Sequence, residues 1–261
     1  MTTYVFTESW ERERERLNSL ERAFDVATRE HLLRLGVPLG AHCLEVGAGG
    51  GSIVCWMADQ AGPGGRVVAT DLDLTWLHRL GRDDFEVRQH DIGTEDLEPA
   101  AFDVIHTRAV LQHVPGRDAA LARLVGALRP GGVLLVEDVD LDAGAVYARE
   151  ADLPLTRRVI TAVRDVVRAA GADTGWATGL PAMLHDAGLT EVGATLTNPY
   201  MWGGDERGDV IRITVERVRP QIAELGLLSA VEVEEFLDRT REPGFHWACL
   251  PMISAWGRKP R

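Results

Sequence analysis

Four glycines within five residues interrupt an apolar segment of the chain. Cys43, Leu44 and Val46 predict a short buried strand, residues 47–51 supply the glycines, and residues 53–58 predict the first turns of a helix. Such a turn presents backbone N–H groups and a helix N-terminus, because no Cβ blocks a ligand and glycine accepts positive φ. The spacing therefore predicts a site for a nucleotide-like ligand without identifying that ligand.

Polar residues follow three further predicted strands. Asp71 and Asp91 each come directly after a strand, and residues 106–113 follow another. Ligands of parallel sheets bind outside the carboxyl ends of the strands, so we expect these residues to converge on one crevice. The alternative is that both acids are solvated turn residues, which are common in any α/β protein.

A glycine turn followed by an acid after the next strand fits both a dinucleotide and S-adenosylmethionine. In either case the carboxylate accepts hydrogen bonds from ribose hydroxyls. The dinucleotide fingerprint needs its third glycine three residues after the second, and here Ser52 stands three residues after Gly49. The observed pattern is instead Glu45-x-Gly47-x-Gly49-x-Gly51, and a second acid, Asp91, ends the third predicted strand.

With this pattern the chain resembles the class I S-adenosylmethionine-dependent methyltransferases, in particular the small-molecule branch related to ubiquinone/menaquinone methyltransferases. The resemblance covers roughly residues 40–140 and is carried in order by LEVGAGGG (44–51), VATD (68–71), HDI (90–92), FDVIHTRAVLQHV (102–114) and LRPGG (128–132). It implies S-adenosyl-L-methionine as cofactor and an α/β, Rossmann-like fold. That fold has a seven-stranded, mostly parallel sheet with helices on both faces, and we expect a helical cap beside it.

The resemblance also implies which residues contact the cofactor. The 47–51 turn would lie against the methionine and ribose, Glu45 would reach the methionine amino group, Asp71 the ribose hydroxyls and Asp91 the adenine amino group. The full implied set is Glu45, Gly47, Ala48, Gly49, Gly51, Asp71, Leu72, Asp91, Ile92, Thr107, Arg108 and His113. Two alternatives stay open: Glu45 serves the backbone of its strand, and Arg108 forms a structural ion pair with a nearby acid.

Two histidines are candidate catalytic bases. A sulfonium methyl is already activated, so a base helps only when the acceptor is a hydroxyl or a protonated amine. His113 follows the fourth predicted strand, and His246 lies in an aromatic stretch at the start of the last one. For each, the alternative is a histidine held by structural hydrogen bonds. The spacing of His, Cys, Asp and Glu predicts no metal site.

Aromatic and thioether side chains are prominent outside the region of resemblance. The predicted substrate-binding residues are Tyr4, Trp10, Trp176, Met201, Trp202 and Trp247. Such a lining suits a small apolar or aromatic molecule. Core packing is the alternative for each residue, and a hydrophobic anchor is the alternative for the N-terminal aromatics.

Composition limits the class of partner. The 261 residues carry a net charge of −12 and a sequence pI of about 5.1, which argues against nucleic acid and anionic membrane as partners. Three cysteines, without metal or redox spacing, argue against a disulfide framework. The first residues lack the pattern of a signal peptide, and no uncharged apolar run reaches membrane-span length. We therefore expect a cytoplasmic protein with a small-molecule substrate, either a monomer or a homodimer.

Strands and helices alternate from residue 41 onward and predict βαβ units around a parallel sheet. We expect one domain over 1–261. Within it, 1–40 would be an N-terminal helical arm, 41–138 the cofactor-binding core, and 139–261 the rest of the sheet with helical cap insertions. A final strand, antiparallel in the family that the chain resembles, is predicted over 245–256.

The sequence thus predicts S-adenosylmethionine-dependent methyl transfer to a small, apolar or aromatic molecule, with natural-product tailoring as a hypothesis for its setting. Two alternatives use the same fold differently: a protein that catalyses cyclisation or rearrangement, and a non-catalytic cofactor-binding subunit. A nicotinamide oxidoreductase is disfavoured by Ser52 and Asp91. O-, N- and C-methylation are not separated by these residues.

Overall fold

The computed structural model describes residues 12–142 and 146–261. Tyr4 and Trp10, both predicted to bind substrate, lie outside the described residues. Internal contacts group the chain into two compact units. Unit 1 comprises residues 1–24, 139–175 and 197–252, and unit 2 comprises residues 25–138, 176–196 and 253–261. This division does not test the expectation of a single domain, which stays a prediction.

The helices and strands follow the predicted alternation. The described helices are α1 (Glu13–Leu35), α2 (Ser52–Ala61), α3 (Thr75–Arg79), α4 (Arg117–Ala127), α5 (Leu153–Ala169), α6 (Leu180–Asp186), α7 (Asp209–Glu224) and α8 (Ala230–Arg239). The described strands are β1 (His42–Val46), β2 (Arg66–Asp71), β3 (Glu86–Gln89), β4 (Phe102–Arg108), β5 (Leu128–Val139), β6 (Tyr147–Ala148), β7 (Thr190–Thr197), β8 (Met201–Trp202), β9 (His246–Ala248) and β10 (Met252–Arg258). Short 3₁₀ turns lie at Leu111–His113 and Trp176–Gly179.

A seven-stranded sheet with the order β3-β2-β1-β4-β5-β10-β7 forms the centre of unit 2. Strand β1 pairs in parallel with both β2 and β4, and the β2–β3 and β4–β5 pairs are parallel as well. The carboxyl ends of these five strands therefore lie along one edge of the sheet. This confirms the predicted Rossmann-like, mostly parallel sheet.

Apolar residues cover both faces of this sheet. Side chains alternate along a strand, so Leu134 of β5 joins one buried cluster together with Leu124 of α4. Its neighbour Leu135 joins the other buried cluster, together with Met57 of α2. Strands buried on both faces read as continuous apolar runs, as β5 does. The helices therefore lie on both faces, as predicted.

Unit 1 has a separate core formed largely by helices α5, α7 and α8. One buried cluster contains a residue from each of these helices: Val163, Val215 and Phe236. A three-stranded sheet with the order β6-β9-β8 completes the unit, and both of its pairings are antiparallel. Of the helices in the predicted cap region, α5, α7 and α8 thus lie in unit 1, whereas α6 lies in unit 2. None of the helices in the described part of the chain is both long and apolar enough to cross a membrane.

The prediction of one final strand over 245–256 is wrong. The chain forms β9, which belongs to the small sheet, and then β10, which belongs to the large sheet. Pro251 lies between them and has no N–H for a ladder hydrogen bond. The apolar run is continuous in sequence because both strands are buried, and this hides the boundary between them.

Removing a buried side chain from β5 should destabilise the protein far more than removing one from the sheet edge. Leu134 has no exposed surface, so we expect Leu134→Ala to lower the free energy of unfolding by about 2–5 kcal/mol. Leu196 in the edge strand β7 is 56% exposed, and Leu196→Ala should change it by no more than about 0.5 kcal/mol. Urea denaturation measures both. Equal losses would show that the sheet is not buried as described.

Candidate functional site

The glycine turn after β1 requires glycine at defined positions. Gly47 has φ +70°, and a Cβ there would overlap the side chain of Val110. The N–H groups of Gly47 and Ala48 donate to the carbonyl of Thr70 over 2.8 and 3.0 Å, which fixes the turn against β2. Gly51 has φ +88° and begins α2 without a side-chain cap. The turn therefore approaches the end of β2 through backbone atoms alone.

Asp71, at the end of β2, meets this turn directly. Its Oδ2 accepts a hydrogen bond from the Gly49 N–H over 2.8 Å, and its Oδ1 accepts one from the Asp73 N–H over 3.3 Å. Burial raises the pKa of the Asp71 carboxyl, while the backbone donors oppose that shift. Leu72 beside it leaves 57% of its surface exposed. The structure thus joins the predicted glycine turn and the first predicted acid.

Asp91 lies at the adjacent strand end. The N–H of His90 donates to the Asp71 carbonyl over 3.0 Å, which places the segment after β3 beside the end of β2. The Asp91 carboxylate accepts hydrogen bonds from the Gly93 N–H over 2.8 Å and from the Thr94 hydroxyl over 3.0 Å. These contacts match the alternative of a turn acid, and a role toward adenine stays a prediction.

A buried group of polar side chains surrounds Glu45. We call it the charged cluster, and its members are Asp25, Thr28, His31, Glu45, His106, Arg108 and Glu137. Glu45 of β1 and His106 of β4 are register partners, so their side chains emerge on the same face of the sheet. His106 Nδ1 lies 2.7 Å from Glu45 Oε2, and its Nε2 lies 3.1 Å from Glu137 Oε2. One imidazole therefore bridges two carboxyl groups.

The surroundings of His106 favour its charged form. Burial opposes protonation, but the Glu45 and Glu137 carboxylates outweigh it and raise the pKa of His106 to about 9. For Glu137, burial likewise opposes ionisation, yet hydrogen bonds from His106 and His31 lower its pKa well below the usual range. Burial dominates for Glu45 and raises its pKa. An imidazolium, which donates at both nitrogens, satisfies this geometry.

Helix α1 supplies the other side of the charged cluster. The Thr28 hydroxyl donates to Glu137 Oε2, and His31 Nδ1 lies 3.1 Å from Glu137 Oε1. Arg108 donates to Thr28 Oγ1 and to Asp25 Oδ1, each over 2.8 Å. The contact between Arg108 and Asp25 is a structural ion pair, which is the alternative that the sequence analysis kept for Arg108. Its predicted role toward the cofactor stays a prediction.

His113 lies in the 3₁₀ turn that follows β4. Asp138, at the end of β5, accepts hydrogen bonds from the N–H groups of Val110 and Gln112 over 3.0 and 3.2 Å and so fixes this turn. Burial raises the pKa of Asp138 to about 8, against the effect of those two donors. The Gln112 amide nitrogen lies 3.0 Å from His113 Nε2, which accepts from it. His113 therefore makes the kind of structural hydrogen bond named as its alternative.

Three further predicted contact residues are buried in unit 2. Ile92 and Trp176 belong to the hydrophobic core. Thr107 is 1% exposed, and its hydroxyl has no hydrogen-bond partner among the described residues. Packing accounts for the first two, whereas the orphaned Thr107 hydroxyl has no structural account.

The other candidate base and the other predicted substrate contacts lie in unit 1. Met201 and Trp247 are fully buried in its core. The His246 ring lies between two half-exposed aromatic rings, with centroid distances of 4.9 Å to Trp202 and 6.4 Å to Tyr200. His246 Nδ1 is buried without a partner among the described residues. Packing thus explains Met201 and Trp247, while Trp202 and His246 form a surface feature.

The sequence reasoning missed most of the charged cluster. A usable signal was present, since His106 and Glu137 each directly follow a run of apolar residues within a strand. No sequence motif, however, indicates the register of β1 with β4 or the packing of α1 on this end of the sheet. Within residues 12–142 and 146–261, no set of three or more His, Cys, Asp or Glu side chains is arranged to hold a metal ion.

Comparison with known proteins identifies relatives of the core. Residues 44–134 match the family model described as a methyltransferase domain. The chain is 34% identical over 116 residues to trans-aconitate 2-methyltransferase of Variovorax paradoxus, covering 43% of this chain and 44% of that protein. It is 28% identical over 127 residues to a ubiquinone/menaquinone biosynthesis C-methyltransferase of Hahella chejuensis, covering 45% of this chain and 51% of that protein.

The fold has relatives among solved structures as well. A phosphoethanolamine N-methyltransferase of Haemonchus contortus, in complex with phosphomonomethylethanolamine and S-adenosylhomocysteine, aligns with 95% of this chain and 53% of its own, at a TM-score of 0.55 and 17% identity. At that identity the likeness shows the fold alone. The chain spans 35% to 51% of the length of three curated relatives that it matches. The resemblance to class I methyltransferases found in the sequence is confirmed.

The imidazole of His106 should make stability depend on pH. Its folded pKa of about 9 exceeds the ordinary value of 6.5, so its contribution is fully present below about pH 6.5 and is lost as the pH rises through about 9. We expect the free energy of unfolding to fall on the order of 3 kcal/mol further over this range in the native protein than in His106→Gln.

Urea denaturation at intervals from pH 6 to 9 measures this difference. Asp138, whose raised pKa also makes stability decline with rising pH up to about 8, contributes equally to both proteins and cancels in the comparison. Parallel curves for the two proteins would show that His106 is not an imidazolium in the folded state.

Proposed function

We propose that this chain transfers the sulfonium methyl group of S-adenosyl-L-methionine to a small, apolar or aromatic molecule. The match of residues 44–134 to a methyltransferase domain and the likeness to two named methyltransferases support this proposal. The observation that carries the proposal is the 2.8 Å hydrogen bond between the Gly49 N–H and Asp71 Oδ2. It joins the glycine turn and the acid of the next strand at one point, as an adenosine site requires.

The residues around this point fit the cofactor. Asp71 keeps lone pairs on both oxygens beyond its two backbone donors, and these suit the ribose hydroxyls. The exposed Leu72 offers an apolar surface for the adenine face. The Glu45 Oε1 accepts no hydrogen bond from the described residues, since His106 bonds only to Oε2. An acceptor is thus available for the amino group of the methionine portion.

The chemistry needs little from the protein beyond position. S-adenosylmethionine supplies an activated methyl group, and the protein must hold the acceptor in line and exclude water. A base is needed only for an acceptor that must lose a proton, and His113 and His246 are the proposed candidates. His113 Nε2 already accepts a hydrogen bond from Gln112, so His113 would have to release that bond before it could act as a base.

Support for an aromatic or apolar acceptor comes from the ring surfaces of unit 1. Trp202 and Tyr200 are 50% and 58% exposed beside His246, and rings exposed to this extent offer faces for stacking. A setting in natural-product tailoring is part of this proposal. It rests on the composition of the chain and its small-molecule relatives.

Replacing Asp71 should weaken cofactor binding. Asp71→Asn keeps the shape but replaces one acceptor oxygen by a donor, so we expect the Kd for S-adenosylhomocysteine to rise at least about tenfold, because hydrogen bonds to a charged acceptor are lost. Isothermal titration calorimetry measures it. Asp59→Asn, on the exposed side of α2, is the matched control and should bind as the native protein does.

Two results would contradict the proposal. A native protein without affinity for S-adenosylhomocysteine would refute the assignment of the cofactor. Equal affinity in the native protein and in Asp71→Asn would refute the assignment of the site. Radiolabelled methyl transfer from the cofactor to a panel of small aromatic acceptors then tests the reaction itself. Product formation without label would favour cyclisation or rearrangement instead.

A further inference from the structure

We propose that His106 is a positioning residue: it holds the Glu45 carboxylate in place for the amino group of the cofactor and, through Glu137, couples that site to helix α1. This inference rests on the proposed function and deepens it. Nothing in the resemblance assigns a role to His106, and its two ring nitrogens bond Glu45 and Glu137 rather than the glycine turn or Asp71.

The first argument is the geometry of the bridge. The His106 ring is completely buried, and each of its nitrogens lies within 3.1 Å of a carboxylate oxygen. A ring bonded at both nitrogens cannot rotate without breaking one bond, so it fixes the orientation of the Glu45 carboxylate. The hydrogen bond leaves Glu45 Oε1 as the acceptor that faces any ligand.

The second argument is the cost of burying these groups. Replacing a buried set of charges by apolar residues of similar volume is often neutral or stabilising. Apolar residues flank Glu45 on both sides, and Ile105 and Val136 directly precede His106 and Glu137. Retaining an imidazole between two carboxyl groups in the sheet is therefore explained better by a ligand than by stability.

The third argument is the balance of charge. The charged cluster contains three carboxyl groups, from Asp25, Glu45 and Glu137. Asp25 is paired with Arg108 and Arg29, and Glu137 is bonded by both His106 and His31, whereas Glu45 is bonded by His106 alone among the described residues. An ammonium group placed at Glu45 Oε1 would give this carboxyl group a cation of its own.

The fourth argument links the site to α1. Glu137, the second partner of His106, also bonds Thr28 and His31 of α1. A continuous series of hydrogen bonds therefore runs from Glu45 of β1 through His106 of β4 and Glu137 of β5 to Thr28 of α1. A cation that strengthens one end of such a network strengthens the other, and the coupling is reciprocal. Cofactor binding should therefore protect α1, and a well-seated α1 should favour binding.

Two substitutions at position 106 separate the two halves of the proposal. In His106→Asn the side-chain amide nitrogen takes the place of Nδ1 and still donates to Glu45, but it does not reach Glu137. In His106→Gln the amide nitrogen takes the place of Nε2 and donates to Glu137, which leaves Glu45 without its donor. His42→Gln is the matched control, because His42 begins β1, the strand of Glu45, but bonds Arg129 at the other end of that strand.

The test compares S-adenosylhomocysteine with 5′-methylthioadenosine, which lacks the amino acid portion. We expect His106→Gln to raise the Kd for S-adenosylhomocysteine about tenfold while the Kd for 5′-methylthioadenosine is unchanged. His106→Asn should leave the Kd for 5′-methylthioadenosine unchanged and raise the Kd for S-adenosylhomocysteine less than His106→Gln does, because it loses only the coupling to α1. The His42→Gln control should match the native protein. Calorimetry measures the four proteins with the two ligands.

Hydrogen exchange tests the coupling. Amides of residues 25–35 in α1 should exchange more slowly in the native protein when S-adenosylhomocysteine is bound, and this protection should be lost in His106→Asn although the ligand still binds. Far-UV circular dichroism confirms that each variant is folded. If His106→Gln does not fold, His106→Asn still tests the coupling through its exchange. The affinity comparison is then made with His106→Ala, which likewise removes the donor to Glu45.

Three contrary results are possible, and each overturns a different statement. Equal loss of affinity for both ligands in a folded His106→Gln would make His106 a structural residue only. Native-like protection of α1 in His106→Asn would remove the coupling. A native protein that binds neither ligand would instead refute the proposed function. That failure is distinguishable from a failure of the His106 proposal, because it shows in the native protein without any variant.

Discussion

The parallel pairing of β1 with β2 on one side and β4 on the other is the constraint on which unit 2 depends. It aligns Val46 with Thr70 and with Thr107, so that three chain segments leave the sheet at the same edge. The glycine turn, Asp71 and the end of β4 meet there for that reason alone. Because side chains alternate along a strand, a register slip of one residue would move Glu45 and His106 to opposite faces and separate them.

That alignment brings together both kinds of chemistry that the proposed site uses. On the β2 side, backbone N–H groups and one carboxylate form an adenosine-type site from the turn and Asp71. On the β4 side, buried charges gather around His106. Placing charged groups in a sheet interior is costly unless each is paired, and here α1 supplies the pairing through Thr28 and His31. The sheet and the helix therefore stabilise this end of the unit together.

Much of the fold followed from local patterns, whereas much of the site did not. The alternation of apolar strands with amphipathic helices located β1 to β5, and the glycine turn located the approach to Asp71. Local patterns record burial rather than partners, which is why the buried run at 245–256 concealed the break between β9 and β10. The bridge at His106 depends on register between strands about 60 residues apart, and the contact of Thr28 with Glu137 spans 109 positions. Neither pairing leaves a period or a motif in the sequence.

The uneven distribution of polar groups fits the chemistry of sulfonium methyl transfer. The leaving group is a neutral thioether, so no developing anion has to be stabilised, and the acceptor side needs orientation more than charge. Glu45, His106 and Glu137 accordingly lie buried toward the ends of β1, β4 and β5, and Asp71 lies at the end of β2, where a cofactor with several hydrogen-bonding groups would be held. In unit 1, by contrast, the predicted substrate residues Met201 and Trp247 are buried and apolar, and Trp202 presents a ring. Acceptor choice in such an enzyme depends on shape and on apolar contact, which tolerate many sequences. This is the physical reason why a family resemblance that covers the strands identifies the cofactor and leaves the acceptor unnamed.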